Sequence, residues 1–197
     1  MLHCGILSRD LKPTNVLFTA RGQLKLIDFG HAKRTGTRGE TSLSVCGTLH
    51  SHAPEMIRGE PHGLPAQLWA LGVLLCEILT GRPPFWPSRD GAAALDDALW
   101  QDALKELICE SAPSLSSIPA GCRPLACALL ARDAADRSAR LPDAYDSVAN
   151  HAWLVGVDPA AIASGCCGSS GLHFMAHSAL YDHCESTPSA LDPFINF

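Results

Sequence analysis

Apolar positions in this chain fall into two kinds of stretch. Near the N-terminus they come as short β-rich runs, "NVLF" (15–18) and "QLKLI" (23–27), on either side of "TARG", which reads as a hairpin turn. Both runs read as buried strands. After Asp28, "FGHAKRTGTRGETSLSVCGTLHSHAPE" keeps neither a helical nor a strand period and is rich in Gly, Thr and Ser. It is a long ordered loop, of the sort tied to function. Helical patterning follows. Pro65–Thr80 is closed by Gly81, and Asp96–Cys109 sets Leu99, Leu104, Leu107 and Ile108 near one face. Arg123–Ala131 comes next, then Pro142–His151, whose proline suits a first helical position. From residue 155 to 197 the chain is small, polar and weakly periodic, and reads as a tail behind a domain at 1–154. No internal repeat is visible.

Composition narrows the classes. The chain has 197 residues, 47% hydrophobic and 18% charged, with a formal net charge of −5. That is enough apolar material for one compact domain with a real core. The mild acidity gives no reason to expect a nucleic-acid surface or a polybasic membrane contact. Nine cysteines are an odd number, without a CxxC pair. They point to reduced thiols rather than a disulfide framework, and so to a cytoplasmic or nuclear location. "MLHCGILSRDLK" is no signal peptide, its apolar stretch being short and broken by His3. The longest apolar run, "LWALGVLLCEIL" at 68–79, contains Glu77 and is too short to span a bilayer. It reads as a buried helix.

The candidate chemistry sits around the first strand run. "SRDLKPTNVLF" (8–18) holds Asp10, Lys12 and Asn15, and the second run leads into Asp28 of "LKLIDFG". Acids and an amide beside strands are what a magnesium–nucleotide site requires, because magnesium takes hard oxygen ligands and keeps company with phosphates. A separate carboxylate can orient an attacking hydroxyl while a lysine neutralises charge on the transferring phosphoryl group. Each residue alone has a plainer reading, with Asp10 and Asn15 satisfying turns and Lys12 solvated. The order of several motifs decides between the two.

"RDLKPTN", a step of 13 residues from Asn15 to Asp28 in "DFG", then "CGT", "APE" and "WALG" resemble the C-terminal lobe of serine/threonine protein kinases over residues 1–154. "DFGHAK", "CGT" and "APEMIRGEPHGLPAQLWALGVLLCEILTGRPPF" resemble the AGC group, which includes the cyclic-nucleotide-dependent and ribosomal-protein-S6 kinases. The resemblance implies a protein-kinase-like fold, C-lobe only: mainly α-helical, with a small β-hairpin region at the catalytic loop. It implies ATP and Mg2+ as cofactors, protein substrates, and an upstream activating kinase as a further partner. Carried over, Asp10 orients the substrate hydroxyl, Lys12 steadies the γ-phosphate, and Asn15 and Asp28 hold the metal. Thr48 hydrogen-bonds Asp10, and Glu55 pairs with Arg137 in a buried ion pair. Ser44, four residues before Thr48, matches a regulatory phosphosite, with Arg9 and Lys33 as the cations that receive its phosphate. "FINF" at the C-terminus, with Phe194 and Phe197, resembles the hydrophobic motif that closes AGC kinases.

The sequence departs from the family in places. Ser8 stands where the family has histidine, and Gln67 where it has an aspartate that accepts hydrogen bonds from the catalytic-loop backbone; Gln67 offers one neutral carbonyl instead. "LHSH" precedes "APE" in place of a segment with tyrosine. Met1 falls where the family finishes the helix before the catalytic loop, so no glycine-rich loop or strand lysine for the nucleotide phosphates is expected here. A non-catalytic interaction module of the same fold is the rival reading. A third takes Cys166, Cys167, His173, His177, His183 and Cys184 of the tail as a zinc site, with His173 and His177 on one helical face. His50 and His52 fall in the substrate loop, Cys46 and Cys76 read as packing residues, and Glu77 and Glu110 are acids that could meet basic substrate side chains.

Overall fold

The computed structural model describes residues 6–19, 24–34, 40–87 and 96–158. Among these, four short strands come first: β1 (Ile6–Leu7), β2 (Val16–Phe18), β3 (Leu24–Leu26) and β4 (Lys33–Arg34). The helices follow as α1 (Pro54–Ile57), α2 (Leu64–Thr80), α3 (Asp97–Glu110), α4 (Arg123–Leu129), α5 (Ala134–Arg140) and α6 (Tyr145–Ala149). Helices and two small two-stranded sheets make up the described part. The tail from residue 159 on, with "FINF" and the Cys/His set, lies outside it, as does most of the hairpin turn.

α2 runs through the centre, as its composition predicts. Leu68, Trp69, Val73, Leu74 and Cys76 are buried, so the helix is covered on nearly every side. Gly81 ends it with a left-handed backbone (φ 73°), its N–H returning to the Glu77 carbonyl at 2.8 Å. One side of α2 packs with Phe85, Leu104, Ile108, Ile118 and Cys122, and Trp69 stacks on Phe85 at 5.4 Å between ring centroids. The other side, through Leu68, meets Leu125, Leu129, Leu141 and Ala144. Gly72 lets α4 come close: a Cβ there would lie 2.8 Å from Leu129 Cβ.

The helix ends differ from expectation for local reasons. α4 stops at Leu129, two residues short, because Leu130 leaves helical geometry and the Ala131 carbonyl turns to accept from Arg137 Nη1 at 2.8 Å. Pro142 starts a turn instead of a helix: Ala144 takes a positive φ of 43°, and α6 begins only after it. No clear period announces α5, although Asp133 signals it by capping the Asp136 N–H at 2.8 Å. α1, the single turn begun by Pro54, was also unforeseen.

β2 and β3 pair antiparallel as the pattern predicts, Val16 opposite Leu26 and Phe18 opposite Leu24. They are not buried, however: Leu17, Phe18 and Leu24 are 48%, 51% and 53% exposed. A two-stranded ribbon buries a face only where another layer covers it, and these residues stay at the surface. The aperiodic stretch after Asp28 is also more structured than expected. β4 pairs with β1, Leu7 opposite Lys33, and Ser42 bridges His62.

Glu55 of α1 and Arg137 of α5 form an ion pair buried on both sides. The guanidinium also lies over the Trp69 ring, 5.3 Å from its centroid. Burial pulls the Arg137 pKa below its ordinary value, and the Glu55 charge opposes that shift. Breaking such a pair leaves a buried charge without compensation. Arg137→Ala should therefore lower unfolding stability by about 3–5 kcal/mol in urea titrations. A loss under about 1 kcal/mol, the size of a surface pair, would contradict the assignment.

Candidate active site

The site is built on an unusual backbone. Arg9, directly after the buried Ser8, has a φ of 61°, a left-handed conformation that non-glycine residues adopt only when surroundings impose it. Those surroundings are visible. Gln67 Oε1 on α2 accepts the Ser8 N–H at 2.9 Å and the Arg9 N–H at 3.3 Å. Arg9 Nε donates to the His31 carbonyl at 2.6 Å and Nη1 to Ser44 Oγ at 2.8 Å. The neutral amide thus serves both loop N–H groups with its one oxygen.

The turn at Arg9 delivers Asp10 to the interior, 3% exposed. Lys12 Nζ lies 2.8 Å from Asp10 Oδ2, and Thr48 Oγ1 donates to Oδ1 at 2.8 Å. Lys12 Nζ also donates to Thr48 Oγ1 at 3.1 Å, closing a triangle of three side chains. Asn15 Nδ2 adds bonds to the Asp10 carbonyl (2.9 Å) and to Oδ2 (3.2 Å). Burial pushes the Asp10 carboxyl up, but hydrogen bonds from Lys12, Thr48 and Asn15 and the Lys12 charge outweigh it and hold the group below the usual carboxylate range.

Gly47 explains how Thr48 arrives from so far along the chain. Its φ is 91°, and a Cβ there would sit 2.2 Å from the Arg9 carbonyl oxygen. Only glycine lets the two segments touch.

The donor set suits a hard divalent cation. With its nitrogen committed to Asp10, the Asn15 side chain has its carbonyl oxygen left to give. Ile27 N–H donates to the Asn15 backbone carbonyl at 2.9 Å, which brings the start of "DFG" back beside Asn15. Asp28 follows with a φ of 58°, its Oδ1 accepting the Gly30 N–H at 3.1 Å. One amide oxygen and one carboxylate are hard oxygen donors of the kind magnesium takes.

The proposed regulatory residues divide. Arg9 reaches Ser44, whereas Lys33 is engaged by Glu40, 3.1 Å away, and not by Ser44. His50 Nε2 and Glu77 Oε2 stand 3.7 Å apart, each buried without a hydrogen-bond partner. Desolvation lowers the His50 pKa and raises that of Glu77. No sequence signal linked them. Among the described residues, no group of three His, Cys, Asp or Glu side chains is arranged to hold a metal ion, and no helix is long and apolar enough to cross a membrane.

If Gln67 fixes the loop, Gln67→Leu leaves two N–H groups unserved. It should cost about 1–3 kcal/mol in thermal unfolding, while Gln67→Asp, which keeps an acceptor, should cost less. Equal losses in the two variants would remove Gln67 from this role.

Comparison with known proteins agrees with this geometry. The family model "Protein kinase domain" matches residues 1–154. Human cGMP-dependent protein kinase 2 is 48% identical over 81 residues, 41% of this chain and 10% of that protein. Drosophila melanogaster atypical protein kinase C is 44% identical over 106 residues, 54% of this chain and 17% of its own length. A putative ribosomal protein S6 kinase alpha-1 of Caenorhabditis elegans is 34% identical over 155 residues, 78% of this chain and 18% of that protein. The matched stretches span between about a tenth and a fifth of these relatives. With its triangle of Asp10, Lys12 and Thr48 and a family match across most of its length, the chain belongs to the protein kinase family, among the serine/threonine kinases of the AGC group.

Proposed function

We propose that this chain carries the substrate-hydroxyl side of an ATP-dependent protein serine/threonine kinase, which moves the terminal phosphoryl group of Mg-ATP to a Ser or Thr hydroxyl of a protein. Residues 1–154 are, in this reading, the C-terminal lobe of the kinase domain. The observation that supports it best is Asp10, a buried carboxylate kept ionised and aimed by three neighbours.

Asp10 accepts the hydrogen bond, and then the proton, of the attacking hydroxyl. Lys12, bonded to the same carboxylate, sets positive charge where the transferred group passes. Thr48 holds the second carboxylate oxygen, so the acceptor does not rotate. Asn15 and Asp28 would hold Mg2+, which when bound neutralises charge on the nucleotide phosphates. Ser44 is the regulatory acceptor in this scheme. A phosphate placed there by an upstream kinase meets the Arg9 guanidinium that already contacts its hydroxyl, with Lys33 as second cation once Glu40 releases it.

Gripping of the nucleotide phosphates by a glycine-rich loop and a strand lysine is the other half of kinase chemistry. The 197 residues alone are therefore expected to bind Mg-ATP weakly and to transfer little. A chimera that places the glycine-rich lobe of a curated relative ahead of Met1 tests the reading, with labelled ATP and a basic Ser/Thr peptide. It should phosphorylate the peptide, and Asp10→Asn should cut kcat by roughly 10²–10⁴-fold. A chimera that binds Mg-ATP yet transfers nothing would make the chain an interaction module instead.

A further inference from the structure

The segment from Ser42 to Thr48 carries Ser44 and ends on the Asp10 triangle, yet apolar packing does not anchor it. Leu43 and Val45 are 67% and 50% exposed. Beneath it lies a cavity whose lining includes Arg9, His52, His62 and Gln67. The hold is polar, and two buried histidines supply much of it. Ser42 and His62 exchange backbone bonds, Ser42 N–H to His62 O at 2.8 Å and His62 N–H to Ser42 O at 3.0 Å. The His62 ring then reaches further along the segment, with Nε2 3.2 Å from the Ser44 carbonyl and Nδ1 3.1 Å from the Glu60 carbonyl. Carbonyls only accept, so a neutral ring can serve one of them and a protonated ring both. His52 Nε2 lies 3.1 Å from the Cys46 carbonyl. Gly47 and Thr48 come directly after.

We propose that His62 is a positioning residue for phosphoryl transfer: by gripping the Ser44 carbonyl it fixes the Ser44–Thr48 segment and so holds Thr48 on Asp10. This rests on the reading of Asp10 as the group that orients the substrate hydroxyl. His62 acts through the backbone and touches none of the reacting groups. Its grip also presents the Ser44 hydroxyl to Arg9, since carbonyl and side chain of one residue are held from two sides.

Hydrogen exchange on the 197-residue chain tests the proposal, read for residues 42–48 and, as a control on the fold, for 64–80. His62→Phe keeps a ring but no donor; His62→Gln keeps a donor. In the Phe variant exchange at 42–48 should rise roughly ten-fold or more while α2 is unchanged, and Gln should restore most of the protection. In the active chimera, kcat should fall roughly ten-fold with His62→Phe at constant KM for ATP, and recover with Gln. Unchanged exchange at 42–48 in the Phe variant, or equal loosening in Phe and Gln, would overturn the proposal. Should the Phe variant also loosen α2, the Gln variant decides: near-native exchange at 42–48 supports the grip, and loosening there refutes it. An inert chimera with the expected exchange pattern would count against the Asp10 reading and leave the grip standing.

Discussion

One carbonyl oxygen, Gln67 Oε1, ties the turn that carries Asp10 to the core. It takes the N–H groups of Ser8 and Arg9, and it projects from α2, the helix shared by both hydrophobic clusters of the described residues. The consequence is mechanical. Arg9 is held in a left-handed backbone whose strain would otherwise relax, and the residue after it is Asp10. A carboxylate one bond beyond a strained turn keeps its direction only while that turn is pinned, and the pin is anchored beside Trp69. That same ring supports Arg137 and, through it, Glu55 and the end of the long loop. The turn before Asp10 and the end of the long loop are thus both referred to the same stretch of α2.

Two opposed effects meet at Asp10. Burial alone would favour the protonated acid, which cannot accept a proton from a hydroxyl. Lys12, Thr48 and Asn15 reverse that preference with direct bonds to the carboxylate. None of the three acts alone: Thr48 arrives only because Gly47 has no side chain to strike the Arg9 carbonyl, and Lys12 bonds Thr48 as well as Asp10. The site is therefore a product of tertiary packing between residues 38 positions apart.

Much of this was legible in the sequence, and most of the parts that were not depend on partners distant in the chain. α2 declared itself through a long apolar run with a closing glycine, and the β2–β3 hairpin through two runs around a turn. Asp10, Lys12, Asn15 and Thr48 were marked by motif order, and the structure brings them together. Leu17, Phe18 and Leu24 are exposed where the pattern suggests burial, because a β-rich run does not say whether a second layer will cover it. α5 was overlooked at seven residues, too short for a clear period, although its Asp133 cap was there to be read. β4 and the Ser42–His62 bridge are set by partners far away in the chain, so no local pattern announces them. His62 and the His50–Glu77 contact belong to the same class: their partners lie far along the chain, so they gain meaning only after folding.

The central claim is that hydrogen bonds from Lys12, Thr48 and Asn15 overcome burial and keep Asp10 ionised and aimed. Its most direct test is a carboxyl 13C NMR titration of Asp10 in the native chain and in Thr48→Val. Because the folded-state pKa is lowered, the midpoint should lie below the usual carboxylate range, and the associated stability should be lost as pH falls through it. Removing the Thr48 hydroxyl should move the midpoint upward, since burial then meets less opposition. A midpoint at or above the usual range, unmoved by Thr48→Val, would show that burial wins at Asp10 and that the triangle is not what prepares it.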